Sequence, residues 1–169
     1  INDLTGKKYG LFDYYGDESA KKVIIAMGSV CEAARIAIDK LAEEGKKMGL
    51  VEVHLYRPFS VTDLIDAIPD TVEKIYVLDR TKEAGSSGEP LYLDVIAALY
   101  DSQFKNVPVF HGRYGLSSKD TSPAQIIAVY ENDTKKEFTI GIRDDVTNLS
   151  LDIPESYSGL ADEDSYTCR

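Results

Sequence analysis

Five short apolar runs constrain the fold of this chain more than any other feature: "KVIIAM" (22–27), "LVEVHLY" (50–56), "KIYVLD" (74–79), "VPVFHG" (107–112) and "EFTIGI" (137–142). They are rich in β-branched and aromatic residues, and near-continuous apolar character is what a strand covered on both faces requires. Between them the spacing turns helical. Val30, Ala34, Ala37, Ile38 and Leu41 fall on one helical face, as do Val61, Leu64, Ile65 and Ile68. Leu91, Val95, Ala98 and Leu99 form a third face, and a fourth helix runs from Pro123 to about Tyr130.

Local punctuation supports these limits. Ser29 with Glu32, and Ser122 with Gln125, read as capping boxes, and Ser60 reads as a cap. Pro90 suits a first helical turn, Gly45 suits a helix end, and Arg57-Pro58 closes the second strand. Strands alternating with helices imply right-handed crossovers. The expected architecture is a three-layer α/β sandwich with a mostly parallel five-stranded sheet, whose last strand is free to run antiparallel. Residues 1–20 are expected to form an N-terminal arm strapped over a surface, 21–151 the α/β domain, and 152–169 an acidic linker to a following domain. A start without Met and an end without a closing element suggest a segment cut from a longer polypeptide.

With 169 residues, one well-buried domain can form. The formal net charge of −10 argues against a nucleic-acid partner. No apolar run approaches a membrane span and no signal peptide opens the chain, so a cytoplasmic location is expected. Cys31 and Cys168 match no disulfide or metal spacing, and Cys31 reads as a small core residue.

The segment "LDRTKEAGSSGEPLYLDV" (78–95) raises the functional question. It joins a strand end to a helix start, where α/β proteins bind ligands. Its Gly85-Ser86-Ser87-Gly88 loop matches neither the dinucleotide nor the P-loop pattern, and Glu89 already brings a carboxylate to the helix start. Gly28-Ser29 lacks the remaining glycines of a fingerprint. His54 and His111 have no third ligand at metal spacing, and Asp144-Asp145 reads as a turn or hydrogen-bonding cluster. Arg57, Arg80 and Arg113 stand out because each follows a strand, which places them along the carboxyl edge of a parallel sheet. Arginine there suits bidentate pairing with an anion or across an interface.

"AMGSVCEA", "LYRPFS", "VLDRTKEAGSSGEPLYLDVIAAL", "GRYGLSSKD" and "GIRDDVTNLSL" resemble the second domain of pyruvate:ferredoxin (flavodoxin) oxidoreductases, over about Gly6 to Leu151. The resemblance implies a fold like the C-terminal domain of transketolase. It also implies a parent enzyme that decarboxylates pyruvate oxidatively, forms acetyl-coenzyme A and reduces ferredoxin or flavodoxin, using thiamine diphosphate, Mg²⁺ and [4Fe-4S] clusters. No thiamine or cluster motif occurs in this sequence, so no catalytic, cofactor-binding or metal-binding residue is assigned to it, and alone it is expected to be catalytically silent. Arg57, Arg80, Lys82, Glu83 and Arg113 are then expected to meet other domains of the same polypeptide or a second protomer. The alternatives are an anion- or coenzyme A-binding module at that edge, or a free-standing flavodoxin-like carrier.

Overall fold

The protein is described by a computed structural model covering residue 6 and residues 9–160. Six strands occur in chain order: β1 (Phe12–Gly16), β2 (Lys22–Ala26), β3 (Met48–Val53), β4 (Lys74–Asp79), β5 (Val109–Arg113) and β6 (Glu137–Thr139). The helices are α1 (Val30–Glu43), α2 (Val61–Ala67), α3 (Pro90–Leu99) and α4 (Pro123–Glu131), with 3-10 turns at Leu116–Ser118 and Glu155–Leu160. One sheet runs in the order β1-β3-β2-β4-β5-β6. All its pairings are parallel except β1 with β3.

The sheet thus has six strands where five were expected, and the antiparallel one is the first, not the last. The extra strand comes from "FDYYG", within residues read as a strap. Phe12 is buried while Tyr14 and Tyr15 are half-buried, so the segment lacks the apolar run that marked the other strands. Gly16 pairs with Gly49 at the end of this ladder.

Period-two alternation divides the central strands between two cores. Ile24, Ala26, Leu50, Tyr76, Leu78, Phe110 and Phe138 pack under α1 and α4. Val23, Ile25, Val51, Val53, Ile75 and Val77 pack with Leu64 of α2 and with Leu91, Val95 and Leu99 of α3. Each buried tyrosine on the α1/α4 side finds an acceptor. Tyr76 donates to the Asn132 carbonyl at 2.7 Å and Tyr130 to the Gly49 carbonyl at 2.8 Å.

The helix ends follow the sequence with one exception. Ser122 and Gln125 form the reciprocal box, Ser60 accepts from the Asp63 amide, and Gly45 adopts a left-handed φ of 76°. Ser29 is itself helical and its side chain caps nothing, so the box predicted with Glu32 does not form.

Handedness brings a second departure. Along the sheet, β4 to β5 and β5 to β6 step in the same direction, yet α3 lies on one face and α4 on the other. The β5–α4–β6 connection therefore has the opposite hand to the three before it, against the usual rule. The chain leaving β5 first crosses back over the carboxyl edge. There the Tyr114 amide donates to the Asp79 carbonyl at 3.1 Å and its hydroxyl to the Met27 carbonyl at 3.1 Å.

Gly112 is where β5 and β6 leave no room for a side chain: a Cβ there would lie 2.2 Å from the Phe138 ring and 2.9 Å from Leu78. Gly112→Ala is expected to cost about 1–3 kcal/mol through overpacking. Urea denaturation should show a lower midpoint at unchanged slope.

Candidate functional site

In the order β3-β2-β4, the chain steps one way from β2 and then crosses back to β4. This reversal opens a crevice at the carboxyl ends of β2 and β4, the usual ligand position in open α/β sheets. A cleft of about 480 Å³ lies there, lined by Met27, Tyr56, Asp79, Arg80, Thr81, Pro90, Gly115 and Ser118. The reversed crossover supplies its far wall. Gly115, Ser117 and Ser118 all have φ near 60°, a conformation that non-glycine residues seldom adopt.

Asp79 ends β4 and is 3% exposed. Its carboxylate accepts from the amides of Leu91 at 3.0 Å and Tyr92 at 3.1 Å, so it caps α3 from twelve residues away. Burial holds its carboxyl above the ordinary value, although the two amides pull it down. With these amides engaged, the glycine loop before α3 has little left to offer a phosphate. Instead the loop closes on itself: Ser86 donates to the Glu83 carbonyl and the Gly88 amide to Ser86 Oγ.

Glu89, at the start of α3, is 2% exposed. It accepts from Arg113 Nε at 2.5 Å and faces His111 Nδ1 at 2.9 Å. Arg113 also pairs with Glu137 at 2.8 Å, and Tyr92 stacks on His111 at 4.3 Å. Burial pushes the Glu89 carboxyl up, but Arg113 and His111 outweigh it and hold it below the ordinary value. Because burial of Glu89 and Arg113 is nearly complete, each depends on the other to compensate its buried charge.

The predicted edge residues therefore separate. Arg113 ends β5 but turns into this internal network. Arg57 stacks on the Tyr56 ring at 3.9 Å and pairs with Asp94 at 2.7 Å, which also accepts from the Tyr56 hydroxyl. Arg80 lies along Gly115, where a Cβ would sit 3.1 Å from its Nε. Arg80, Lys82 and Glu83 are exposed, and none enters the ion pairs found among the described residues. The structure thus leaves Arg80 at the cleft, Arg57 on its flank through Tyr56, and Lys82 and Glu83 on the outer loop.

Other candidates resolve locally. His54 faces Asp13 at 3.0 Å on the surface. Asp145 accepts from the Thr147 hydroxyl and from the amides of Thr147 and Ser150, bonds that draw its pKa down to about 2. Cys31 is buried, which pushes its thiol up to about 12, and Cys168 lies outside the described residues. Among the described residues no group of three His, Cys, Asp or Glu side chains is placed to hold a metal ion. Sequence reasoning missed Asp79 and Glu89 as site residues. The available signal was a helix with Pro at its first position and no Ser, Thr, Asp or Asn before it, which calls for a cap from elsewhere.

The family described as pyruvate:ferredoxin oxidoreductase core domain II matches residues 20–126, a span that contains every residue lining the cleft. Pyruvate-flavodoxin oxidoreductase of Nostoc sp. is 48% identical over 159 residues, covering 92% of this chain and 39% of that protein. Pyruvate:ferredoxin oxidoreductase of Moorella thermoacetica is 49% identical over 159 residues, covering 92% and 14%. The probable pyruvate-flavodoxin oxidoreductase of Escherichia coli is 47% identical over 168 residues, again 92% and 14%. The chain spans only 14% to 39% of the length of these relatives. Among solved structures, 2-oxoglutarate:ferredoxin oxidoreductase from Magnetococcus marinus, with 2-oxoglutarate, coenzyme A and succinyl-CoA bound, superposes with a TM-score of 0.54 at 21% identity. It covers 77% of this chain and 20% of that one, and the likeness is one of fold.

Glu89→Gln is expected to destabilise the fold by about 3 kcal/mol near neutral pH, because it leaves Arg113 buried with only Glu137. A carboxyl held low in the folded state contributes stability above its unfolded value, ordinarily 4.5, and loses it as pH falls through the folded value. The gap between wild type and variant should therefore narrow as pH falls below about 4.5, which urea denaturation near neutral pH and below that value will show.

Proposed function

Since the chain belongs to the pyruvate:ferredoxin oxidoreductase core domain II family, we propose that it is a structural and interdomain-assembly domain of a thiamine-diphosphate-dependent pyruvate:ferredoxin or flavodoxin oxidoreductase. The parent reaction is the oxidative decarboxylation of pyruvate to acetyl-coenzyme A, with electrons passed to ferredoxin or flavodoxin in the cytoplasm. Among the described residues no helix is long and apolar enough to cross a membrane.

The observation that carries this reading is the sorting of charge at the carboxyl edge. Glu89, Arg113 and His111 are engaged with one another inside the fold. Arg80 stands outside it at the cleft, and Lys82 and Glu83 are exposed on the loop that follows and open to a neighbouring domain. The donor chemistry of the described residues does not suit the cofactors of such an enzyme. A [4Fe-4S] cluster needs several thiolates, and the described residues hold only Cys31, buried in the core. In this reading the clusters, thiamine diphosphate and Mg²⁺ are held by other parts of the polypeptide. A second protomer and ferredoxin or flavodoxin complete the proposed partners.

One observation favours a second reading. Arg80 borders a cleft of about 480 Å³ and enters no ion pair among the described residues, and an anionic group such as a coenzyme A phosphate would supply its counter-charge.

Arg80→Glu, placed in the full-length polypeptide, separates the two. Charge reversal in a desolvated contact is expected to cost about 2 kcal/mol or more. Assembly measured by sedimentation should weaken, while the fold itself changes by less than about 0.5 kcal/mol. Unchanged assembly together with lost thermal stabilisation by coenzyme A would transfer the edge to the second reading.

A further inference from the structure

Helix α3 carries two apolar faces. At 100° per residue, Leu91, Val95, Ala98 and Leu99 cluster on one side and are buried against the sheet. Leu93, Ile96, Ala97 and Tyr100 cluster on the opposite side, at the i, i+3, i+4, i+7 spacing of a packing stripe, and all four are exposed. A helix apolar all round is normally buried all round. The residues between the two faces do not cover the outer one. Asp94 is tied down by Tyr56 and Arg57, and Tyr92 lies against His111.

We propose that this outer face of α3 is a docking surface for an apolar element of the same polypeptide, from a region outside residues 1–169. The idea rests on the interdomain reading above and gives it a second, uncharged contact. Two observations choose the occupant. Leu93, Ile96 and Tyr100 expose 37%, 38% and 76% of their surface, on the order of 300 Å² together, well short of the roughly 800 Å² per partner that a stable free-standing complex buries. A patch of that size holds a tethered neighbour, whose effective concentration is set by the connecting chain. Two copies of this segment, each with a net charge of −10, would also repel one another. The relatives supply the tether, since most of their length lies outside the region this chain covers. The face is also continuous with the charged loop: a Cβ on Gly88 would lie 3.3 Å from Leu93. One neighbouring body can therefore cover both.

The test places p-benzoylphenylalanine, one site at a time, at Tyr100, at Lys82 and at the exposed control Glu43 in the full-length polypeptide. Crosslinked peptides and the mass of the crosslinked chain are then read. The expected result is a crosslink from Tyr100 to a peptide outside this segment, several-fold above the Glu43 background and with single-chain mass. A product of doubled mass from Tyr100 overturns the tethered occupant in favour of a second copy. No crosslink above background at Tyr100, with Lys82 still crosslinking, overturns this inference and leaves the interdomain reading in place. Silence at both sites overturns both. Hydroxyl-radical oxidation of unmodified Tyr100 in the same polypeptide guards against a variant that misfolds. Protection many-fold above that of the free peptide is expected, and a free-peptide rate overturns the proposal.

Discussion

The first turn of α3 hangs on one carboxylate. Helix starts leave backbone amides unpaired, and at a buried start those amides must find acceptors within the protein. Here Asp79 supplies them from the end of β4, across a loop that contributes nothing to the bond. The arrangement has a cost, visible in a carboxyl that burial holds above its ordinary value. In return the last residue of a central strand is fixed to the first turn of a packed helix. The loop between them is held at both ends and has to turn outward. The exposure of Arg80, Lys82 and Glu83 follows from that anchoring.

The reversed crossover between β5 and β6 works on the same edge. Had α4 followed the hand of the other connections, it would have packed beside α3 and left the α1 face of β5 and β6 open. Phe110 and Phe138 point to that face, so α4 covers them there and the chain must cross the sheet end to reach it. The crossing brings Tyr114 against Met27 and Gly115 beneath Arg80. The cleft at the reversal of strand order is thereby walled on its far side, and the left-handed residues Gly115 and Ser118 are part of that wall.

Charge and apolar surface are distributed in opposite senses around α3. Its start buries Glu89 with Arg113 and His111, a network in which each member requires the others. Its outer side leaves Leu93, Ile96 and Tyr100 in solvent. A domain evolved to stand alone would be expected to reverse both, because buried ion pairs add little net stability and exposed apolar stripes invite association. Both features accord with the interdomain role proposed above.

The layers of the fold were legible because they depend on short-range periodicity. Alternation along "KVIIAM" and "KIYVLD" assigns side chains to two cores; Ser122, Gln125 and Gly45 mark helix ends through bonds made within a few residues, and Pro90 marks one through its fixed φ. Strand β1 escaped notice because an edge strand is covered less completely and "FDYYG" needs no apolar run. The depth of the edge charges was not legible. Arg80 and Arg113 both stand at strand ends, and nothing in their immediate sequence distinguishes them. One is drawn inward because Glu89 and Glu137 arrive beside it from other elements, and the other is left beside the cleft because no carboxylate among the described residues pairs with it. Sequence determined the central strands, the helices between them, and the edge of the sheet that carries Arg80 and Arg113, but not the edge strand β1. Tertiary structure decided which of those charges are satisfied, because an ion pair depends on distances between elements that no local pattern encodes.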